Sequence, residues 1–81
     1  MNAFQLYRFL LNGPTKEIQA FFADYGLHFS KNEVKQLQHL LGDIPFYELR
    51  LPLSKEMTDD LIAIIGEKKF KQLNKLLQQY V

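Results

Sequence analysis

Apolar positions along this chain recur in short groups, each closed by a glycine. Residues 3 to 11 form a mostly apolar stretch ended by "NGP", where Gly13 suits a left-handed helix end and Pro14 cannot continue the helix. Thr15 then stands where an N-cap belongs, and Ile18, Phe21, Phe22 and Tyr25 follow at i, i+3, i+4 and i+7, the spacing that lines one helix face. Gly26 ends this second helix. Ser30 and Glu33 then have the S-x-x-E spacing of a capping box, opening a third helix that buries Val34, Leu37, Leu40 and Leu41 and stops at Gly42. Ser54 caps a fourth helix with Met57, Leu61, Ile64 and Ile65 inward and Gly66 at its end. A fifth, from about Glu67, turns Phe70, Leu73, Leu76, Leu77 and Tyr80 inward and its lysines outward. A single kinked helix running through Gly66 is the alternative, since an interior glycine costs only about 1 kcal/mol relative to alanine.

Two short pieces alternate with a period of two instead. "LHF" (27–29) places Leu27 and Phe29 on one side. "FYELRL" (46–51) places Tyr47, Leu49 and Leu51 on one face against Phe46, Glu48 and Arg50, with Pro45 and Pro52 on either side discouraging a helix. The expected fold is therefore all-α: a compact orthogonal bundle of four to five short helices in one domain, 1–81, with room for a minimal two-stranded ribbon pairing 27–29 with 46–51.

The connector "GDIPFYELRLPLS" (42–54) is apolar where a connector is normally polar. Alternate side chains of an extended segment face opposite ways, so Phe46, Tyr47, Leu49, Leu51 and Leu53 cannot all point inward. Some are covered by another element or a second copy, or stand as a patch for a partner. Partial burial is the favoured arrangement, with Phe46 or the Tyr47/Leu49 pair as the exposed anchor. Phe4, Phe21, Phe22, Tyr25, Phe29, Phe70 and Tyr80 fall on apolar helix faces or beside them and are assigned to the core.

Composition narrows the class. A chain of 81 residues with 47% hydrophobic content is too apolar for disorder and too short for two cores. At this size only about 60% of the surface is buried on folding, which makes docking or dimerisation a natural source of further burial. There is no cysteine, hence no disulfide framework and no thiol nucleophile, in keeping with a reducing cytoplasm. No apolar run approaches the ~20 residues that span a bilayer. The start, "MNAFQLYRFLLNGP", lacks a basic leader and carries Arg8 in its middle, so it reads as a core helix rather than a signal peptide.

Net charge is only +1, too small to draw nucleic acid by overall field, but its distribution is uneven. Glu56, Asp59 and Asp60 outweigh Lys55 in residues 54–66, while Lys68, Lys69, Lys71 and Lys75 outweigh Glu67 in 67–81. Lys68, Lys71 and Lys75 form a stripe at i, i+3 and i+7 that could follow a phosphate backbone, with Lys31 and Lys35 as further candidates. A lysine- and glutamine-rich outer face is also the ordinary surface of an amphipathic helix.

Catalytic and metal chemistry find little support. The "DYGLHFSKNE" region resembles a calcium loop only in outline: Asp24 alone precedes Gly26, His28 holds the branched position, and Asn32 replaces the bidentate glutamate. His28 and His39 have no third ligand at a metal-like spacing. His39 and Asp43, at i and i+4, suit a helix-end hydrogen bond better than catalysis. Ser30, Ser54 and Thr15 sit at cap positions, and no nucleophile elbow, phosphate loop or dinucleotide fingerprint is present. The second and third helices are no helix-turn-helix reader, because Phe21 and Phe22 are bulky where that motif needs a small residue, and the "YGLHFS" turn is too long.

The runs "YGLHFSKNEVKQLQHLLGDIPFY" and "IIGEKKFKQLNKLLQQYV" together resemble a small family of uncharacterised proteins from Bacillus-type Gram-positive bacteria. That resemblance implies a small cytoplasmic helical protein with no assigned reaction, and it transfers no functional residues. The expected function is a noncatalytic protein-interaction or regulatory module, working through Phe46, Tyr47, Leu49 and Leu51 on a protein partner or a second copy. A nucleic-acid-associated protein using the lysines is the alternative. No cofactor, metal, membrane or small-molecule substrate is expected.

Overall fold

The computed structural model describes residues 2–45, 47 and 53–79. Among these residues there are five helices and no strand: α1 (Ala3–Asn12), α2 (Thr15–Ala23), α3 (Lys31–Gly42), α4 (Lys55–Ile65) and α5 (Glu67–Gln78). Helix α3 packs against α1, α2 and α4, and α5 packs against α4. The Cα radius of gyration is 11.5 Å, against about 11.7 Å expected for a folded chain of this length.

Local chemistry explains where each helix begins. Asn2 caps α1, its Oδ1 accepting from Gln5 N–H at 2.8 Å while the Gln5 side chain accepts from Asn2 N–H at 2.9 Å, a box that the Ser/Thr-x-x-Glu spacing alone does not pick out. Ser30 and Glu33 form the expected box at α3, and the Ser54 hydroxyl accepts from Met57 N–H at 3.2 Å to open α4. Thr15 is not a cap. It is the first residue of α2, and Pro14 occupies the cap position, its carbonyl accepting from Ile18 N–H at 3.0 Å. Proline has no N–H to lose at such a boundary and its fixed φ leads into the helix.

The glycines divide into two kinds. Gly26 has φ +81° and closes α2 as expected: Leu27 N–H reaches back to the Phe22 carbonyl and Gly26 N–H to that of Ala23, the double bond of a Schellman end. Gly66 has φ +85° and ψ 160°, a region essentially confined to glycine, which separates α4 from α5 and excludes the single kinked helix. Gly13, by contrast, is extended with φ −72°, not left-handed. Glycine is needed there for space, since a Cβ would lie 2.5 Å from the Phe9 carbonyl oxygen.

The core joins Ile18 and Phe22 of α2, Leu27 and Phe29 of the turn, Val34 and Leu37 of α3, Met57, Leu61 and Ile65 of α4, and Leu73 and Leu76 of α5. Rings meet edge-on through it, with Phe22 and Phe29 centroids 4.9 Å apart and Phe21 packed 5.6 Å from Phe9. Two aromatic residues expected in this core lie outside it. Phe4 is 47% exposed, because α1 is apolar on several sides and can turn only one of them toward α3. Tyr25 is 48% exposed, because α2 ends at Ala23, before the helical repeat reaches it. Tyr80 lies outside the described residues.

The segment 27–29 is extended but not a strand. Its backbone is engaged locally: the Phe29 carbonyl accepts from Gln19 Nε2 at 2.8 Å, and the following Ser30 N–H donates to Glu33. The other half of the expected ribbon, 46–51, falls almost wholly outside the described residues.

Candidate functional site

The connector is anchored at both ends. Ile44 and Leu53 are partly buried against the core, and the Ile44 carbonyl accepts from Tyr7 Oη at 2.9 Å, tying the connector to α1. Between these anchors Tyr47 is 74% exposed, the most exposed large apolar side chain among the described residues. Phe46, Leu49 and Leu51, the other predicted contact residues, lie outside the described residues. Phe4, on α1 one turn before Tyr7, is exposed beside this tie, and the Arg8 guanidinium lies 5.9 Å from its ring centroid.

The predicted lysines do not gather into one site. Lys68, Lys71 and Lys75 are exposed on α5, as the spacing predicts. Lys71 pairs with Glu67 at 3.8 Å, both side chains well exposed, an arrangement that contributes under about 1 kcal/mol. Lys68 and Lys75 have no ion pair among the described residues. Lys31 and Lys35 are exposed on α3, but Lys35 lines a groove whose walls also carry Asp43 and Asp60.

Lys69 has a separate structural role. Its ammonium donates to Glu33 at 3.1 and 3.4 Å and sits 5.7 Å from the Phe29 ring centroid, fastening α5 to the start of α3. Burial alone would push the Glu33 carboxyl up, but the bond from Ser30 N–H and the Lys69 ammonium outweigh it and hold the group below its ordinary value. The capping-box spacing made Glu33 visible in the sequence. Lys69 was not, because its partner is set by how α5 docks.

Between α3 and α4 lies an open groove of about 470 Å³ with Leu40, Ala63 and Ile64 in its lining. Asp43, Asp60, Lys35 and His39 edge it. The expected His39–Asp43 hydrogen bond does not form, and both side chains are exposed instead. Sequence spacing could place Lys35, His39 and Asp43 on one helix face, but not Asp60 and Ala63 opposite them, since that depends on how α3 and α4 pack.

Among the described residues no three His, Cys, Asp or Glu side chains gather as metal ligands, and no helix is long and apolar enough to cross a membrane. No protein-family model matches the chain, and neither a curated protein nor a solved structure matches it.

Proposed function

We propose that this chain is a noncatalytic protein-interaction module of the bacterial cytoplasm that docks a protein through the 43–53 connector and the adjoining α1 face. One observation carries this reading: Tyr47 is 74% exposed on a segment whose flanks, Ile44 and Leu53, are held against the core. An anchored segment presenting a large amphipathic ring has the form of an interface anchor, since tyrosine offers a wide contact area with few rotors to order on binding. The test is affinity capture from a bacterial extract on wild-type protein and on a Tyr47→Asp variant of equal thermal stability. Proteins held by the wild type and depleted about tenfold or more on the variant support the reading. Identical capture by both, with no change in self-association, overturns it.

The alternative is a phosphate-binding face on α5, which draws on Lys68 and Lys75, both exposed and without an ion pair among the described residues. It predicts nucleic-acid binding that weakens steeply with salt, by a log–log slope of about −0.9 for each duplex phosphate neutralised. Failure to bind at low salt ends it.

A further inference from the structure

We propose that α5 is an exchangeable arm: two copies of this chain open at Gly66 and trade their α5 helices, each arm completing the core of the other copy. The proposal uses no residue of the 43–53 connector and goes beyond the reading above.

The hinge is a single residue. Helix α4 ends at Ile65 and α5 begins at Glu67, so Gly66 alone turns the chain from one to the other. It does so at φ +85° and ψ 160°, a conformation essentially closed to other residues, and a Cβ there would meet no atom within 4 Å. The bend is thus set by the backbone and not by packing around Gly66. It also interrupts the helical ladder, and no side chain caps the first amides of α5. When Gly66 turns helical, the amides of Glu67, Lys68 and Lys69 gain the carbonyls of Ala63, Ile64 and Ile65 four positions back, and residues 55–78 become one helix about 36 Å long. A short hinge under strain is the setting in which exchange between copies arises.

The helical repeat shows what straightening does to α5. At about 100° per residue, its buried Leu73 and Leu76 stand about a quarter turn away from the buried Met57, Leu61 and Ile65 of α4. The straight helix therefore carries α5 beyond its own body with its apolar side turned elsewhere. Leu73 and Leu76, 5% and 4% exposed in the closed chain, would then meet water, and the core would lose its cover over α4. A second copy opened in the same way supplies the identical contacts: its α5 lies on α4, and its Lys69 reaches Glu33 and the ring of Phe29. The exchange is reciprocal, so two copies leave no arm without a core and association stops at two.

The test uses the Glu33–Lys69 ion pair, because a carbodiimide joins a carboxylate to an ammonium already in contact with it. Unlabelled and heavy-isotope-labelled chains are unfolded together and refolded at high concentration. The dimer is isolated by size exclusion, cross-linked and read by mass spectrometry. The expected result is a wild-type dimer in which about half of the Glu33–Lys69 cross-links join a labelled chain to an unlabelled one, as random pairing of exchanged arms requires. Glu67–Lys71 cross-links, formed within one helix, never mix labels and serve as the control. Gly66→Ala raises the association constant about a hundredfold or more, since alanine is strained in the closed turn and favoured in the straight helix of both chains. Insertion of Gly-Ser-Gly after Gly66 relaxes the turn and gives a monomer of unchanged helicity by circular dichroism. A wild type that stays monomeric at every concentration, a dimer whose Glu33–Lys69 cross-links never mix labels, or a dimer that neither hinge variant shifts overturns the proposal.

Discussion

The connection between α2 and α3 and the one between α3 and α4 are both rich in apolar residues, yet the described residues of the two are placed differently. In the first, Leu27 and Phe29 are 1% and 5% exposed, with His28 turned to solvent between them. In the second, Ile44 and Leu53 are only partly buried and Tyr47 stands 74% exposed between them. The first connection has intramolecular partners close at hand: the Phe22 carbonyl accepts from Leu27 N–H, Gln19 donates to the Phe29 carbonyl, and Glu33 takes the Ser30 N–H. With those backbone groups satisfied, the chain can lie on the core and bury every second side chain. An apolar connection thus belongs to the core when its polar backbone can be satisfied there.

The contrast is broken most severely by Leu27→Ala. Leu27 is almost wholly buried, so its truncation is expected to destabilise the fold by about 3–5 kcal/mol, read by urea or thermal unfolding. Gly26→Ala comes next. A methyl group there would meet no atom within 4 Å, so the cost is backbone strain at φ +81° alone, about 1–2 kcal/mol by the same measurement.

Glu33→Gln tests the tie between the first connection and α5 and is expected to cost about 1 kcal/mol or less near neutral pH, through loss of the ion pair to Lys69, since a glutamine there can keep the capping box as Gln5 does in α1. Its signature is pH dependence. The Glu33 carboxyl titrates below its ordinary 4.5 in the folded state, so the native protein binds fewer protons there than the unfolded chain. Its contribution is therefore fully present above about pH 4.5 and is lost as pH falls through the lowered value. Acid unfolding of the glutamine variant should lack that component, and an unchanged acid limb would show that the Lys69 contact contributes nothing. Tyr47→Asp, the mirror experiment in the second connection, should change stability by less than about 0.5 kcal/mol while altering association. A large loss of stability instead would mean that Tyr47 is a core side chain and would erase the contrast.

Much of the architecture was legible in the residues. Ser30, Glu33 and Ser54 announced helix starts, and Gly26 and Gly66 announced ends, because caps and left-handed turns depend on chemistry within a few positions of the chain. The same local logic misplaced Thr15 and gave Gly13 the wrong conformation, because spacing did not show that Pro14 takes the cap position or that the Phe9 carbonyl crowds Gly13. Spacing found the α5 lysine stripe, and the i, i+4 interval allows the Lys71–Glu67 pair, but it could not say that Lys69 is engaged by Glu33 or that Lys35 faces a different groove.

The sequence by itself therefore determined the all-α organisation in four to five short helices, the helix boundaries to within a residue or two, and an anomalous connector, while the separation of α4 from α5 at Gly66 came from the structure. Only the tertiary structure decided which apolar residues are core. Phe4 and Tyr25 lie in apolar stretches and yet are exposed, while the alternating 27–29 segment packs on the helices without a strand partner. Helix formation answers to neighbours three and four positions away, whereas burial and groove formation answer to residues such as Ala63 and Asp60, which reach α3 only when α4 docks.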